Sequence, residues 1–298
     1  MRLDQTHIAI RRRSLLEICD LSIHVLRDHI LAIIVLLIIG ITPWILLNYF
    51  LIGWMISEDY AGQPQMALLY WWVMFLLVCA QSQVGTMFVT KYLGDATFQL
   101  RPKIWTTVGT VLRSFPSLLT LHFLVRPLIF VLACGLLFLP RDFNLIGFAA
   151  FLFLPSIVLL LMLIRAFRPF VNEIVLLEKT PLKESRAGQV TYAVRTKSLH
   201  SLDGGNIFGR SLGIWLAAIP MFFVFTGAVL AVKFIVTLGA DMPWLTQALL
   251  IPASIWLTAG LVSVIRFLTY IDTRIYQEGW DIELKIRAEA MKLKERLS

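Results

Sequence analysis

Two short stretches of the chain concentrate the residue types that do chemistry. "YIDTRIYQEGWDIE", Tyr270 to Glu283, sets Asp272, Arg274, Glu278, Asp281 and Glu283 among aromatic side chains. Acids and a base at this density are what a general acid–base site or an ion site would use. "GGNIFGRS", Gly204 to Ser211, has the outline of a phosphate loop, with Arg210 where that motif carries Lys. A phosphate loop needs a strand before it and a soluble helix after it, so that backbone N–H groups aim at the anion. Here an apolar run follows, and the loop reading fails. The same stretch instead spaces Gly205, Gly209, Gly213 and Ala217 four residues apart. Small residues at that interval let helix backbones approach closely where lipid supplies no hydrophobic drive. The spacing predicts tight packing there.

Polar groups inside apolar runs form a third set. Gln81 and Gln83 lie in one run, His122 and Arg126 in another. Arg keeps its charge in any protein setting, so Arg126 needs a partner or water. Gln81 or Gln83 on a neighbouring helix is the expected partner. A structural brace, a functional polar site and snorkelling of Arg126 to the surface all remain open. Lys233, near the end of its run, is expected to snorkel. Further along, each descending apolar run exits through bases, aromatics and then acids. Arg165, Arg168, Glu173, Glu178, Asp272, Arg274 and Glu278 fall at these exits. Cross-helix pairing among them is expected to brace the mouth of a bundle.

Catalytic and metal signatures are missing from the sequence. No nucleophile elbow or HExxH occurs, and the five His show no ligand spacing. Cys19, Cys79 and Cys134 form no CxxC. The expectation is a non-enzyme with no cofactor and no metal.

The elements that must position these residues are membrane helices. The 298 residues are 58% hydrophobic and only 15% charged, with mean hydropathy +0.77. Soluble domains carry about 25% charged residues, and a surface this apolar would aggregate in water. A bilayer core takes about 20 apolar residues as helix. Six segments qualify, near 30–53, 67–90, 117–139, 145–165, 211–237 and 244–266. The first begins too far in, and runs too long, for a cleaved signal. Of the 27 Lys and Arg, all but Arg126, Arg141 and Lys233 fall on one side of these segments. By the positive-inside rule both termini face the cytoplasm. The net charge of +8 is thus a signal of topology and of lipid-headgroup attraction, not of nucleic-acid binding.

The basic side also carries amphipathic stretches. Ile104, Trp105, Val108, Val111, Leu112 and Phe115 recur at three and four residues, one apolar helical face. Leu15, Leu16, Cys19, Ile23 and Leu26 do the same before the first span, and Leu182, Ala187, Val190 and Val194 do so more weakly. Ile282, Ile286, Ala290, Leu293 and Leu297 follow the last. Gly279 would stop the sixth span and Asp281 would cap this tail helix. The expected fold is one all-α integral membrane domain over 1–298. A surface helix over 1–29 precedes the bundle at 30–270, and another follows at 281–298.

"RPFVNEIVLLEKTPL", "GGNIFGR" and "YIDTRIYQEGWDIELKIRAEA" resemble segments of uncharacterised bacterial multi-pass membrane proteins. Those proteins are similar to the membrane domain attached to some glycerophosphodiester phosphodiesterases. Tyr270, Asp272, Arg274, Glu278, Gly279, Asp281 and Glu283 carry the most specific part of the likeness. The resemblance implies a six-helix bacterial inner-membrane module and no catalytic residues. Two functions fit. One is a non-enzymatic scaffold or accessory subunit, with membrane lipids and other membrane or cytoplasmic proteins as partners. The other is a transporter or lipid-handling protein with a polar site around Arg126; Pro43, Pro127, Pro155, Pro220 and Pro252 would break its helices.

Overall fold

The computed structural model describes residues 13–57, 64–97, 102–122, 153–182, 190–201, 203–238 and 243–277. Every regular element among them is helical. We number the helices α1 (Leu15–Ile52), α2 (Pro64–Gly85), α3 (Met87–Ala96), α4 (Ile104–Thr120), α5 (Leu154–Phe167), α6 (Val171–Leu177), α7 (Tyr192–Ser201), α8 (Gly204–Val236) and α9 (Ile251–Gln277). One turn of π-helix, Thr246–Leu250, leads into α9.

Four stretches are long and apolar enough to cross a membrane: Leu15–Ile56, Met66–Ala96, Gly204–Val236 and Thr246–Gln277. The bent pair α5 and α6 makes a fifth if it counts as one span. Most of the expected third span, and the first part of the fourth, lie outside the described residues. So does the tail helix expected over 281–298, with Glu278, Gly279, Asp281 and Glu283.

The described part of the expected N-terminal surface helix is the first stretch of α1, which continues into the first span across a kink. Ser14 starts it with a capping box: the Ser14 side chain accepts from the Glu17 N–H, and the Glu17 carboxylate accepts from the Ser14 N–H. At His29 the backbone leaves helical geometry (φ −119°, ψ 17°). The kink falls at the expected boundary between surface helix (1–29) and bundle (from 30).

The second expected span is broken where the sequence reading leaves it whole, and the fourth is followed by a bend. The second divides between α2 and α3 at Thr86 (φ −96°, ψ 5°). Ser82, Thr86 and Thr90 each bond back to a carbonyl one turn earlier, a habit that bends helices. Beyond the end expected for the fourth, at 165, the chain stays helical and bends by 43° between α5 and α6. Pro169 sits in that bend and cannot donate a helical hydrogen bond.

Helix α9 is the centre, packed against α8, α1, α2 and α3. Nearly all its residues are buried, Trp256 and Tyr270 completely. Helix α8 is the opposite case, with only Ile207, Ser211 and Ile214 buried. Its outer face shows Leu216, Phe223, Phe234 and Ile235. In water that would be a liability; against acyl chains it is neutral.

The close helix approach predicted for α8 occurs elsewhere. A Cβ on Gly205 or Gly209 would meet nothing within 4 Å, and one on Gly213 would meet only the Leu15 side chain. Ala217 is only half-buried. The backbones that do touch belong to α1 and α2, where a Cβ on Gly40 would run into the Gly85 carbonyl oxygen. Gly85 is in turn covered by the Trp256 ring. A rigid carbonyl cannot step aside, so a methyl at position 40 must part the two helices. We expect Gly40→Ala to destabilise the protein by about 1–3 kcal/mol in detergent thermal unfolding. Gly109→Ala, with open space around it, should be neutral or stabilising by about 0.5–1 kcal/mol.

Candidate functional site

The basic ends of the helices hold a set of polar side chains that water barely reaches. Arg165, near the end of α5, is only 1% exposed. Its guanidinium donates to Ser82 Oγ at 2.8 Å and to the Ala80 carbonyl at 2.6 Å. Arg266 on α9 donates through Nε to Glu173 Oε1 at 2.8 Å and through Nη2 to Thr90 Oγ1 at 3.3 Å. Thr90 Oγ1 also lies 3.2 Å from Ser263 Oγ. Asn172, beside Glu173 on α6, donates to the Gln83 carbonyl at 2.6 Å, and its Oδ1 lies 2.8 Å from His122 Nε2.

Nearer the surface, Asp272 accepts from the Arg13 N–H at 2.9 Å and from Arg210 Nη1 at 2.5 Å. Arg210 Nη2 donates to the Arg13 carbonyl at 2.6 Å. This ties the start of α1, the first turns of α8 and the end of α9 into one clamp. Glu178 gathers a second group. It accepts from Arg195 Nε at 2.5 Å and from the Tyr270 hydroxyl at 2.6 Å, with Arg274 3.6 Å away.

The exit charges predicted to brace the mouth therefore do meet: Glu178 and Arg274 pair as expected, while Glu173 and Asp272 take different partners. Arg165 bonds Ser82 and a backbone carbonyl. Glu173 pairs with Arg266, and Asp272 with Arg210. In the sequence Arg210 stands out only as the residue in place of a phosphate-loop Lys, and the partners of Arg195 and Arg266 emerge from the structure alone. Arg168 lies in the α5–α6 bend. Gln81 is engaged with Asn48: each amide donates to the other, at 2.7 and 3.0 Å. Arg126, its expected partner, lies outside the described residues. Asn48 could have been found as the single amide in the first apolar run, since polar groups in spans seek polar groups on neighbours.

Beside Arg165 and Arg266 lies a cavity of about 830 Å³, walled by α2, α5, α8 and α9. Trp71, Phe75, Met162, Ile214, Phe222 and Ile255 give it an apolar body. Ser82, Gln83, Thr86, Arg165, Ser211 and Arg266 line one end. These polar residues come from the ends of α2 and α5, the first turns of α8 and the second half of α9. The hydrogen bonds from Arg165 to Ser82 and from Arg266 to Thr90 hold those levels together. The cavity thus has a polar floor on the basic side and an apolar shaft leading away from it. Among the described residues no cluster of His, Cys, Asp and Glu could hold a metal ion.

Among the described residues, four or five helices long and apolar enough to cross a membrane, with polar side chains meeting between them, mark a helical protein of membrane type. Compared with protein-family models, curated proteins and solved structures, the chain finds no match in any of the three.

Removing one member of a buried ion pair leaves the other charge uncompensated, at a cost of about 3–5 kcal/mol. Asp272 is 2% exposed and serves both a guanidinium and a backbone N–H. Asp272→Ala should lower stability by about that amount. Arg274, at 3.6 Å from a carboxylate that already has two closer partners, should lose about 1 kcal/mol or less as Arg274→Ala. Thermal unfolding of both variants in one detergent checks the ranking.

Proposed function

We propose that this chain binds a membrane amphiphile in the cavity between α2, α5, α8 and α9, and is a lipid-handling or transport protein. The observation that carries the reading is the cavity's shape and polarity, an apolar shaft ending on two guanidinium groups. Its volume lies within the ~300–1,000 Å³ typical of ligand sites. Several lining residues also face outward: Leu159 is 58% exposed, Ile219 54% and Phe223 67%. In a bilayer those positions meet acyl chains, so entry is sideways between α5 and α8. On this reading the chain sits in a bacterial inner membrane with its basic helix ends toward the cytoplasm. Arg126, around which the sequence reading expects a polar site, lies outside the described residues; this proposal rests on Arg165 and Arg266.

Filling the shaft tests the reading. Ala218 lines the cavity wall on α8, and Ala218→Trp adds an indole where a chain would lie. Lipid photo-crosslinking to the full chain should label the wild type on cavity residues. The variant should lose that label while its unfolding temperature changes little. A wild type with no label, or a variant labelled as strongly as wild type, would sink the proposal.

A second reading keeps the chain as a non-enzymatic scaffold or accessory subunit. It draws on α4, which exposes Trp105, Leu112 and Leu119 at seven-residue intervals, the first at 79%. This apolar line suits a surface that another protein covers. Affinity purification in mild detergent should then recover a stoichiometric partner from wild type and lose it from Trp105→Ala with Leu112→Ala. Recovery unchanged by the double substitution would refute this reading.

A further inference from the structure

We infer that the amphiphile is anionic, with its acidic headgroup seated between Arg165 and Arg266 and its chain in the apolar shaft. The inference rests on the cavity being an amphiphile site and adds the sign of the headgroup. The first argument is charge. Two guanidinium groups line the cavity, and no carboxylate does among the described residues. Glu173, the acid nearest to Arg266, stands behind it. It is fully buried, takes the Nε hydrogen of Arg266 and is not part of the lining.

The second argument is donor capacity. A guanidinium offers five N–H donors. Arg266 gives one to Glu173 through Nε and one to Thr90 through Nη2. Among the described residues nothing accepts from its Nη1. Arg266 is therefore held from behind and still presents donors to the cavity. Ser82, Thr86 and Ser211 line the same end, but each gives its hydroxyl hydrogen to a backbone carbonyl about one turn earlier, so the guanidinium is what supplies donors to an anion. Charge-assisted bonds from Arg to a phosphate or carboxylate are the strongest of their kind and orient the acceptor as well as hold it.

The third argument is exclusion. A zwitterionic headgroup would bring an ammonium to a wall that carries guanidinium groups and no facing acid. In a site of low dielectric that repulsion discriminates as effectively as the attraction does. A free anion such as inorganic phosphate would satisfy the floor but leave the shaft, with Trp71, Phe75 and Phe222, unfilled. The occupant is therefore a lipid drawn from the bilayer.

The test uses the full chain in detergent and native mass spectrometry. The probes are a phosphatidylglycerol, a phosphatidylcholine of the same chains, and inorganic phosphate. We expect the anionic lipid to bind wild type at least ~10-fold more tightly than the zwitterionic one, and phosphate alone to compete poorly. Arg165→Gln should erase most of that preference while sparing phosphatidylcholine binding, and Arg165→Lys should retain part of it. Replacing Arg266 and Glu173 together by Gln removes both charges of the buried pair and should also reduce the preference. Should either Gln variant fail to fold, the comparison of the two lipids on wild type still decides. Equal binding of both lipids overturns the anionic assignment but leaves the amphiphile site standing. Phosphate competing as well as the anionic lipid overturns the lipid occupant. Absence of binding by either lipid overturns the amphiphile site itself.

Discussion

The Arg266–Glu173 pair is the interaction on which the rest of the basic end depends. Both charges lie out of reach of water, at 8% and 0% side-chain exposure. In hydrocarbon neither can be left alone, because an unmatched charge there costs several kcal/mol. The pair therefore fixes α6 against α9. Thr90 takes a second donor of Arg266 and joins α3 to the same point. Once α6 is placed, Asn172 on its next position reaches the Gln83 carbonyl and His122. The bend between α5 and α6 then sets Arg165 against the end of α2. The cavity floor follows from this sequence of constraints.

Energy and function meet at that floor. Buried ion pairs are poor sources of stability, since an apolar replacement of equal volume often does as well. A chain that keeps five or more charges in contact at one end of its bundle is spending stability on position. The clamp of Asp272 with Arg210 and Arg13 closes the outer layer. The Glu178 group closes another face. Between them the guanidinium of Arg266 is presented to the cavity in one fixed pose.

The helical class was legible in the sequence because it is a sum: apolar length marks a candidate span whatever it packs against. Partners were not legible, because each exit carries bases and acids alike and pairing depends on helix rotation. Glu173 had three candidate bases on the sequence reading and chose a fourth, Arg266. Gly40 and Gly85 were overlooked for a related reason. Neither belongs to a four-residue repeat, whereas the stripe in α8 has the repeat but meets only the Leu15 side chain, at Gly213. The cavity left no local trace at all. Its walls are apolar residues like their neighbours, and only the spacing of four helices leaves a space among them.

The amide pair of Asn48 and Gln81 has a mechanical meaning. Two amides that satisfy each other in both directions hold α1 and α2 in one register. Sliding either helix by a turn would strand both amides in a layer that offers no substitute, and the Gly40–Gly85 contact resists separation just as firmly. These two helices, with α9 behind them, are the stator of the molecule. Helix α8, buried at only three residues near its start, is tied to that frame again further along, where Thr226 donates to Ser254 at 2.9 Å and Phe222 and Phe225 pack on the core. Any widening of the cavity that moves α8 therefore has to break that bond first.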